Sequence, residues 1–128
     1  MRVEIHSKNY EVNDNLEEYI QKKIKKLSKM LKRHSQDSAH IMVHLTQNDS
    51  EPSQKYQCEM ILRLPPKEEM VAKDGTVNMF AAVDIAEAKL SSQVRKYKSK
   101  HNQHRTDRKG VMRKLRKMAD RDFRGNQN

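Results

Sequence analysis

The sequence predicts an α+β fold in which two helices pack side by side on one face of a four-stranded sheet. Three short stretches alternate apolar and polar residues, as half-buried strands do, and a fourth is a short, weaker strand candidate. Two longer stretches repeat apolar residues at helical spacing, and the chain order of all six is β-α-β-β-β-α. With 128 residues, 34% of them apolar and no tryptophan, the chain suits one small domain.

The first strand and the first helix are predicted from the opening third of the chain. Residues 1–8 alternate in polarity and predict a strand. Residues 12–34 predict one long helix, because apolar side chains recur there every three or four positions. Two residues compete to cap its start: Asp14, which has Glu17 three positions later as in a capping box, and Asn13.

Three further strands and a second helix follow. Residues 40–45 and 56–64 alternate in polarity and are separated by a polar loop. Residues 68–73 predict a short strand, which residues 74–75 (Asp-Gly) are expected to close. The second helix is expected to begin at Asn78, a good capping residue.

The connections between these elements predict their layering. A right-handed crossover from the first strand to the second places the first helix on one face of the sheet. The antiparallel meander of the next strands returns the second helix to that same face. The opposite face is therefore expected to be polar and solvated.

Charge is distributed unevenly along the chain. Residues 1–94 contain 14 Lys/Arg and 14 Asp/Glu, whereas residues 95–128 contain 13 Lys/Arg and 3 acids. The formal excess of +10 therefore lies in the last quarter, which favours a polyanionic partner: nucleic acid first, an anionic membrane second. We expect a domain over residues 1–104 and a basic, disordered tail over residues 105–128.

Other features argue against an enzyme, a metal site or a membrane protein. Cys58 is alone, so no intramolecular disulfide forms and a reducing, cytoplasmic location is expected. No apolar run approaches the roughly 18 residues of a membrane span. The glycines cannot build a phosphate-cradling loop, and the scattered histidines do not have zinc-site spacing. We therefore expect no catalytic residues, no cofactor and no metal.

The cations form strips on both helices. On the first helix the strip borders the apolar face, and its members are Lys22, Lys26, Lys29 and Arg33. On the second helix one strip is Lys89, Lys96 and Lys100, aligned with Gln93, and another is Arg95 and Lys98. Like charges at this spacing repel by about a few tenths of a kcal/mol per pair. Such strips favour a polyanion, whose phosphates could follow the rows.

Residues 78–98, NMFAAVDIAEAKLSSQVRKYK, resemble the second-helix signature of the ribosome hibernation promoting factors, also called the ribosome-associated inhibitor or protein Y family. The matching residues are Met79, Ala81, Ala82, Asp84, Lys89, Leu90, Gln93, Lys96 and Lys98. The first helix is similar through Tyr19, Lys23, Lys26 and Leu27, and the element order agrees. Phe80 and Ser92 depart from the family, which usually has Tyr and Arg there.

The resemblance implies a non-enzymatic protein that binds the small ribosomal subunit over the mRNA and tRNA sites, blocks translation by occlusion and protects idle ribosomes. It implies that basic helix residues contact rRNA, with adjacent ribosomal proteins as neighbours. The residues expected to do so are Lys22, Lys23, Lys26, Lys29, Arg33, Lys89, Arg95, Lys96, Lys98 and Lys100. We expect a monomer off the ribosome, with no membrane or DNA partner.

Two alternatives remain open at this point. One is a general module for double-stranded or structured RNA, since two basic helices on a sheet serve that purpose as well. The other is a binder of membrane surfaces or acidic proteins that uses residues 105–128, whose amphipathicity is weak. His101 and His104 are expected to add polar contacts to RNA.

Overall fold

The fold is built on one four-stranded sheet. The computed structural model describes the backbone of residues 1–105 and the side chains of residues 1–100. Its strands, in spatial order, are β1 (Arg2–Lys8), β2 (His40–Gln47), β3 (Tyr56–Leu64) and β4 (Glu68–Thr76). β1 and β2 are parallel, and the other neighbours are antiparallel. The predicted α+β class and the β-α-β-β-β-α order are confirmed, with one short helix added.

The helices are α1 (Asp14–Ser28), α2 (Arg33–Ser38) and α3 (Met79–Arg105), with a 3-10 turn at Pro52–Gln54. Asn13, not Asp14, caps α1: its Oδ1 accepts a hydrogen bond from the Leu16 N–H at 2.8 Å. Asn78 caps α3 as predicted, since its Oδ1 accepts from the Phe80 N–H at 2.8 Å.

The first helix is shorter than the predicted span of residues 12–34. After Ser28 the chain tightens, with the Met30 and Leu31 N–H groups bonded to carbonyls three residues back, both at 3.0 Å. Lys32 is extended, with ψ 150°. The helix stops here because the chain must turn back to enter β2. Arg33 consequently begins α2 and does not continue the α1 strip.

Leu31 explains why the pattern suggested a longer helix. Its side chain is buried, as the apolar stripe of a helix requires, but the residue lies in the connection after α1 and not in the helix. The Gln36 amide donates to the Leu31 carbonyl at 2.8 Å and so satisfies a group that a longer helix would have paired.

The prediction that residues 74–75 close the last strand was wrong. β4 runs on to Thr76, because β3 is nine residues long and Tyr56 pairs with Thr76. Gly75 lies against the 3-10 turn, where an added Cβ would come within 3.0 Å of the Gln54 Cβ. A close approach therefore favours glycine at this position.

The core lies between the sheet and the helices. Alternate strand residues are buried: Ile41, Val43, Leu45, Cys58, Met60, Leu62, Leu64, Met70 and Ala72. The helices bury Leu16, Ile20, Ile24, Leu27, Met79, Ala82, Val83, Ala86, Leu90 and Val94. Burial raises the pKa of Cys58 to about 12, so the thiol stays neutral and packs as a small apolar side chain.

The opposite sheet face is less polar than expected. Met42 pairs with Ile61 and Ile61 with Val71, so three apolar side chains form a row across three strands. None of the three is buried.

None of the helices described in residues 1–105 is long and apolar enough to cross a membrane.

Candidate nucleic-acid interface

α1 and α3 run in the same direction. The parallel β1–β2 crossover makes α1 antiparallel to both strands, and β4 points the same way as β2. Lys89 of α3 contacts residue 73 of β4 and Gln93 contacts residue 71, so α3 runs back along β4. From Met79 to Arg95 the helix covers about 24 Å, close to the length of the strands. The end of α1 and Arg95 therefore lie at the same end of the sheet.

This end of the sheet collects cations. Residues 9–21 contain four acids and no Lys or Arg, whereas residues 22–36 contain seven Lys/Arg and no acid. The second segment covers the later turns of α1 and the connection to β2. We call the following seven residues the basic end: Lys22, Lys25, Lys26, Lys29, Lys32, Arg33 and Arg95. Lys25 and Lys32 were not predicted from the strips, although the acid-free run was visible in the sequence.

The side chains of the basic end are exposed and lack acidic partners. All seven residues are exposed to solvent. Within residues 1–100, the ion pairs with N–O distances up to 4.0 Å involve other cations, and none includes a member of the basic end. Positive charge that is not neutralised internally attracts polyanions.

Lys23 lies on the same helix but has a different environment. Its ammonium is 3.1 Å from the Asp84 carboxylate of α3 and 5.4 Å from the centre of the Tyr19 ring. The Tyr19 hydroxyl donates a hydrogen bond to the same carboxylate. We call Tyr19, Lys23 and Asp84 the helix seam, because they join α1 to α3.

The helix seam shifts the pKa of each of its members. The hydrogen bond from Tyr19, helped by Lys23, holds the pKa of Asp84 below its ordinary value against the opposing effect of burial. The hydrogen bond to Asp84 raises the pKa of Tyr19, and burial adds to that. Asp84 likewise raises the pKa of Lys23. At neutral pH the seam therefore holds an ion pair with a neutral phenol.

Neighbouring side chains complete the packing around the seam. Phe80 meets the Tyr19 ring edge-on, with centroids 5.2 Å apart and an interplanar angle of 67°. The buried Glu87 carboxylate accepts a hydrogen bond from Ser91 Oγ at 2.7 Å. Phe80, one of the two departures from the family pattern noted in the sequence, therefore packs its ring against Tyr19.

Lys89 and Gln93 contact the edge of the sheet. The Lys89 ammonium lies 3.1 Å from Asp74 and 3.3 Å from the Lys73 carbonyl. The Gln93 amide donates to the Val71 carbonyl at 2.7 Å. These contacts tie α3 to β4 and satisfy carbonyls on an otherwise open sheet edge.

The remaining predicted contact residues lie in the last turns of α3. Lys96, Lys98 and Lys100 are exposed, while Tyr97 is half-buried. They belong to a second unit of the chain, distinct from the compact unit Met1–Arg95. The side chains of His101 and His104 lie outside the described residues, and so does the predicted tail of residues 105–128 apart from the backbone of Arg105, which belongs to α3.

The arrangement is suited to binding anions. Among the described residues no three His, Cys, Asp or Glu side chains come together as a metal site. Ammonium and guanidinium groups bind phosphate through charge-assisted hydrogen bonds. The chemistry of the basic end is therefore suited to anionic groups such as phosphates.

Comparison with known proteins gives three kinds of match. The family described as sigma 54 modulation protein / S30EA ribosomal protein matches residues 3–102. The ribosome hibernation promotion factor of Staphylococcus aureus (strain COL) is 29% identical over 109 residues, which are 84% of this chain and 54% of that protein. The chain thus spans about half the length of this relative.

Two solved structures share the fold, each with a TM-score of 0.62 and 21% sequence identity. One is the N-terminal domain of Thermus thermophilus protein Y, where the match covers 76% of this chain and 99% of that one. The other is a ribosomal subunit interface protein from Coxiella burnetii, with 77% and 99% covered. At this identity the likeness concerns the fold alone.

Proposed function

Because this chain belongs to the sigma 54 modulation protein / S30EA ribosomal protein family, we propose that it binds the small ribosomal subunit at the mRNA and tRNA channel. There it inhibits translation by occupying the channel, and it keeps idle ribosomes in an inactive, protected state in the cytoplasm. The observation that carries the proposal is the basic end, whose seven exposed cations have no acidic partner within the described residues.

Binding in this proposal rests on phosphate contacts. Lysines about one helical turn apart follow a backbone of phosphates, and Arg33 and Arg95 can each grip one phosphate with two hydrogen bonds. These contacts hold the protein without reading sequence, so the shape of the folded rRNA selects the place. A compact sheet-and-helix domain held there excludes mRNA and tRNA by its volume.

The C-terminal end of α1 helps to explain how the folded protein tolerates so many cations. The negative end of the α1 macrodipole lies beside Lys25 and Lys26, an arrangement that stabilises a helix by about 0.3–1 kcal/mol per charge at an exposed site. Part of the mutual repulsion is offset in this way, and the rest favours the bound state. The fold therefore keeps the cations ready for rRNA without acids to mask them.

The other predicted contact residues divide into two groups. Lys96, Lys98 and Lys100 are exposed, and we assign them direct contacts to rRNA. Lys23 and Lys89 each engage a carboxylate of the protein at 3.1 Å, and we assign them the role of holding the helices in place. Ribosome binding should therefore depend on them less.

Sedimentation of purified protein with separated ribosomal subunits tests the proposal. We expect comigration with small subunits at about 50 mM salt, and loss of affinity by about 10³–10⁵-fold at about 200 mM if six to ten phosphates are contacted. Small subunits loaded beforehand with mRNA and tRNA should bind less protein. Protein that stays at the top of the gradient at low salt would end the proposal, and equal binding to loaded subunits would remove the channel from it.

A general module for structured RNA is the second candidate. It is favoured by the composition of the basic end, which consists entirely of phosphate-binding side chains. A gel-shift competition separates the two candidates. Equal affinity for a naked RNA duplex and for small subunits would support the general module, whereas strong preference for small subunits supports the ribosomal function.

A further inference from the structure

The outer sheet face, on the side away from the buried strand residues, is a second surface of the unit Met1–Arg95. Strand register arranges its side chains in four rows across β1, β2, β3 and β4. These rows are Arg2, His40, Arg63 and Glu69; Glu4, Met42, Ile61 and Val71; His6, His44, Glu59 and Lys73; and Lys8, Thr46, Gln57 and Gly75. None of these residues is buried.

We infer that the outer sheet face binds single-stranded RNA, with unpaired bases lying on the sheet and phosphates at its rim. This function goes beyond the proposed one, since it uses none of the residues of the basic end. It also requires no ribosome, because the ligand is an unpaired strand of RNA.

A pair of stacked imidazole rings is the first observation behind this inference. His6 and His44 are cross-strand partners, and their ring centroids lie 5.4 Å apart with an interplanar angle of 19°. The His6 side chain is 58% exposed. Because the two rings stack on each other at the edge of the sheet, the outer face of the exposed His6 ring stays open, and an unpaired base can stack on it as bases do on aromatic and histidine side chains of sheet-based RNA modules.

The apolar row is the second observation. The row of Met42, Ile61 and Val71 is next to the row of the stacked histidines, and Met42 lies two residues along β2 from His44, a separation of about 6.6 Å. Val71 is 44% exposed, and the other two are half-buried. An adjoining base would cover this apolar surface, and the polarisable thioether of Met42 adapts well to a flat ring.

Charge favours RNA over an apolar protein partner. Arg2, Lys8, Arg63 and Lys73 are exposed at the rim of the face. Arg63 uses Nε for its 3.0 Å ion pair, which leaves the terminal nitrogens of its guanidinium as donors for phosphate. Within residues 1–100, none of the ion pairs with N–O distances up to 4.0 Å includes Lys8 or Lys73.

The acids of the face are mostly occupied. Glu69 pairs with Arg63, and Glu4 lies 3.6 Å from Arg2 and 3.3 Å from His40. Glu59 lies beside His44 and Lys73 in the strand register. Repulsion of phosphate by these carboxylates is therefore reduced, and the cations of the face exceed its acids even with neutral histidines.

Fluorescence anisotropy with a labelled oligouridylate of roughly ten nucleotides tests the inference, because this probe forms no duplex. We expect the wild-type protein to bind it at low salt, and the double variant His6→Ala/His44→Ala to bind about tenfold more weakly, as expected for one lost base stack. His34→Ala is the matched control, since it removes an exposed imidazole from α2, outside this face. It should change the affinity less than twofold.

A second variant separates stacking from loss of the fold. His6→Phe/His44→Phe keeps flat rings at both positions, so binding should stay within about threefold of wild type. Circular dichroism of each variant shows whether the fold is retained. Equal oligouridylate affinity of wild type and a folded alanine variant would overturn the inference, as would a wild type that fails to bind the probe.

The outcomes are also distinct from those of the proposed function. A protein that binds oligouridylate through the histidines but does not sediment with ribosomes would support this inference and contradict the proposed function. If the folded alanine variant keeps oligouridylate binding but loses ribosome binding, the face takes a ribosomal component other than single-stranded RNA, and the inference fails.

Discussion

Lys23 and Lys26 lie about one turn apart on the flank of α1 that faces α3, yet their surroundings differ. Lys23 is 27% exposed and pairs with Asp84 at 3.1 Å. Lys26 is exposed, and no carboxylate of the described residues pairs with it. The flank of the helix on which a lysine lies therefore does not decide its role. The partner supplied by the neighbouring helix does.

The parallel direction of the two helices is the cause of this difference. α3 carries Asp84 and Glu87 in its early turns, and the next acid of the chain is Asp107. The early turns of α3 lie beside Tyr19 and Lys23, so acids meet that part of α1. Farther along both helices all the charged residues are cations, and this produces the basic end.

The largest expected effect comes from reversing charge at the basic end. The triple variant Lys22→Glu/Lys26→Glu/Lys29→Glu should bind small ribosomal subunits at least about a hundredfold more weakly, because three phosphate contacts become repulsive. Cosedimentation at low salt measures this loss. The helical circular dichroism should be unchanged, since all three side chains face solvent.

A single reversal at the other end of the sheet is the control for net charge. Lys55→Glu alters the charge as Lys26→Glu does, but Lys55 lies next to the start of β3 and 3.6 Å from Asp49. We expect Lys26→Glu to weaken binding about tenfold and Lys55→Glu less than threefold. Equal losses would mean that net charge alone drives binding, without a defined surface.

Neutral substitutions of Lys23 and Lys26 separate the roles of the two lysines. Lys26→Gln should weaken subunit binding by about five- to tenfold, because it removes one phosphate contact. Lys23→Gln should change the affinity less than twofold while lowering stability. Affinity and thermal unfolding measured on both variants test this division, and the reverse ranking of affinities would refute it.

Asp84→Asn should act on stability with little effect on binding. The change weakens the hydrogen bond from Tyr19 and the ion pair with Lys23, and we expect a loss of about 1 kcal/mol in the free energy of unfolding, since the carboxylate is 44% exposed. Urea unfolding measures the loss. Ala81→Ser, on the same helix and outside the seam, is the control and should cost about 0.5 kcal/mol or less. A neutral Asp84→Asn would show that the seam does not stabilise the fold.

The smallest expected effect is on acid stability. The folded-state pKa of Asp84 lies below its ordinary value of 3.8, so its contribution is present above that pH and is lost as pH falls through the lower folded value. Wild type should therefore lose a few tenths of a kcal/mol more than Asp84→Asn between about pH 5 and pH 2. Urea unfolding at several pH values measures this, and parallel curves for the two proteins would contradict the assigned cause.

Much of the fold was predictable from the sequence because it depends on local patterns. The alternation of Ile41, Val43 and Leu45 places β2 with one face inward, and Asn78 marks the start of α3. The end of α1 was not predictable, because Leu31 fits the apolar stripe of a helix although it lies in the turn after α1, where its side chain is buried. Non-local pairing decides such cases.

The candidate site was predicted only in part for the same reason. The strips of cations could be read from helical spacing, but Lys23 and Asp84 are 61 positions apart in the sequence and meet only through packing. The apolar row of Met42, Ile61 and Val71 likewise depends on the register of three strands. Spacing within one element cannot reveal contacts between elements.

The salt dependence of binding shows which lysines contact phosphate, because the slope of log affinity against log salt counts the phosphates that the protein neutralises. Affinity for small ribosomal subunits, measured over a range of salt for wild type, Lys26→Gln and Lys23→Gln, gives three slopes of log affinity against log salt. We expect the slope to shrink by about 0.7–0.9 for Lys26→Gln and to stay at the wild-type value for Lys23→Gln. Three equal slopes, or a smaller slope for Lys23→Gln alone, would contradict the claim that the cations left without acids at the basic end bind rRNA.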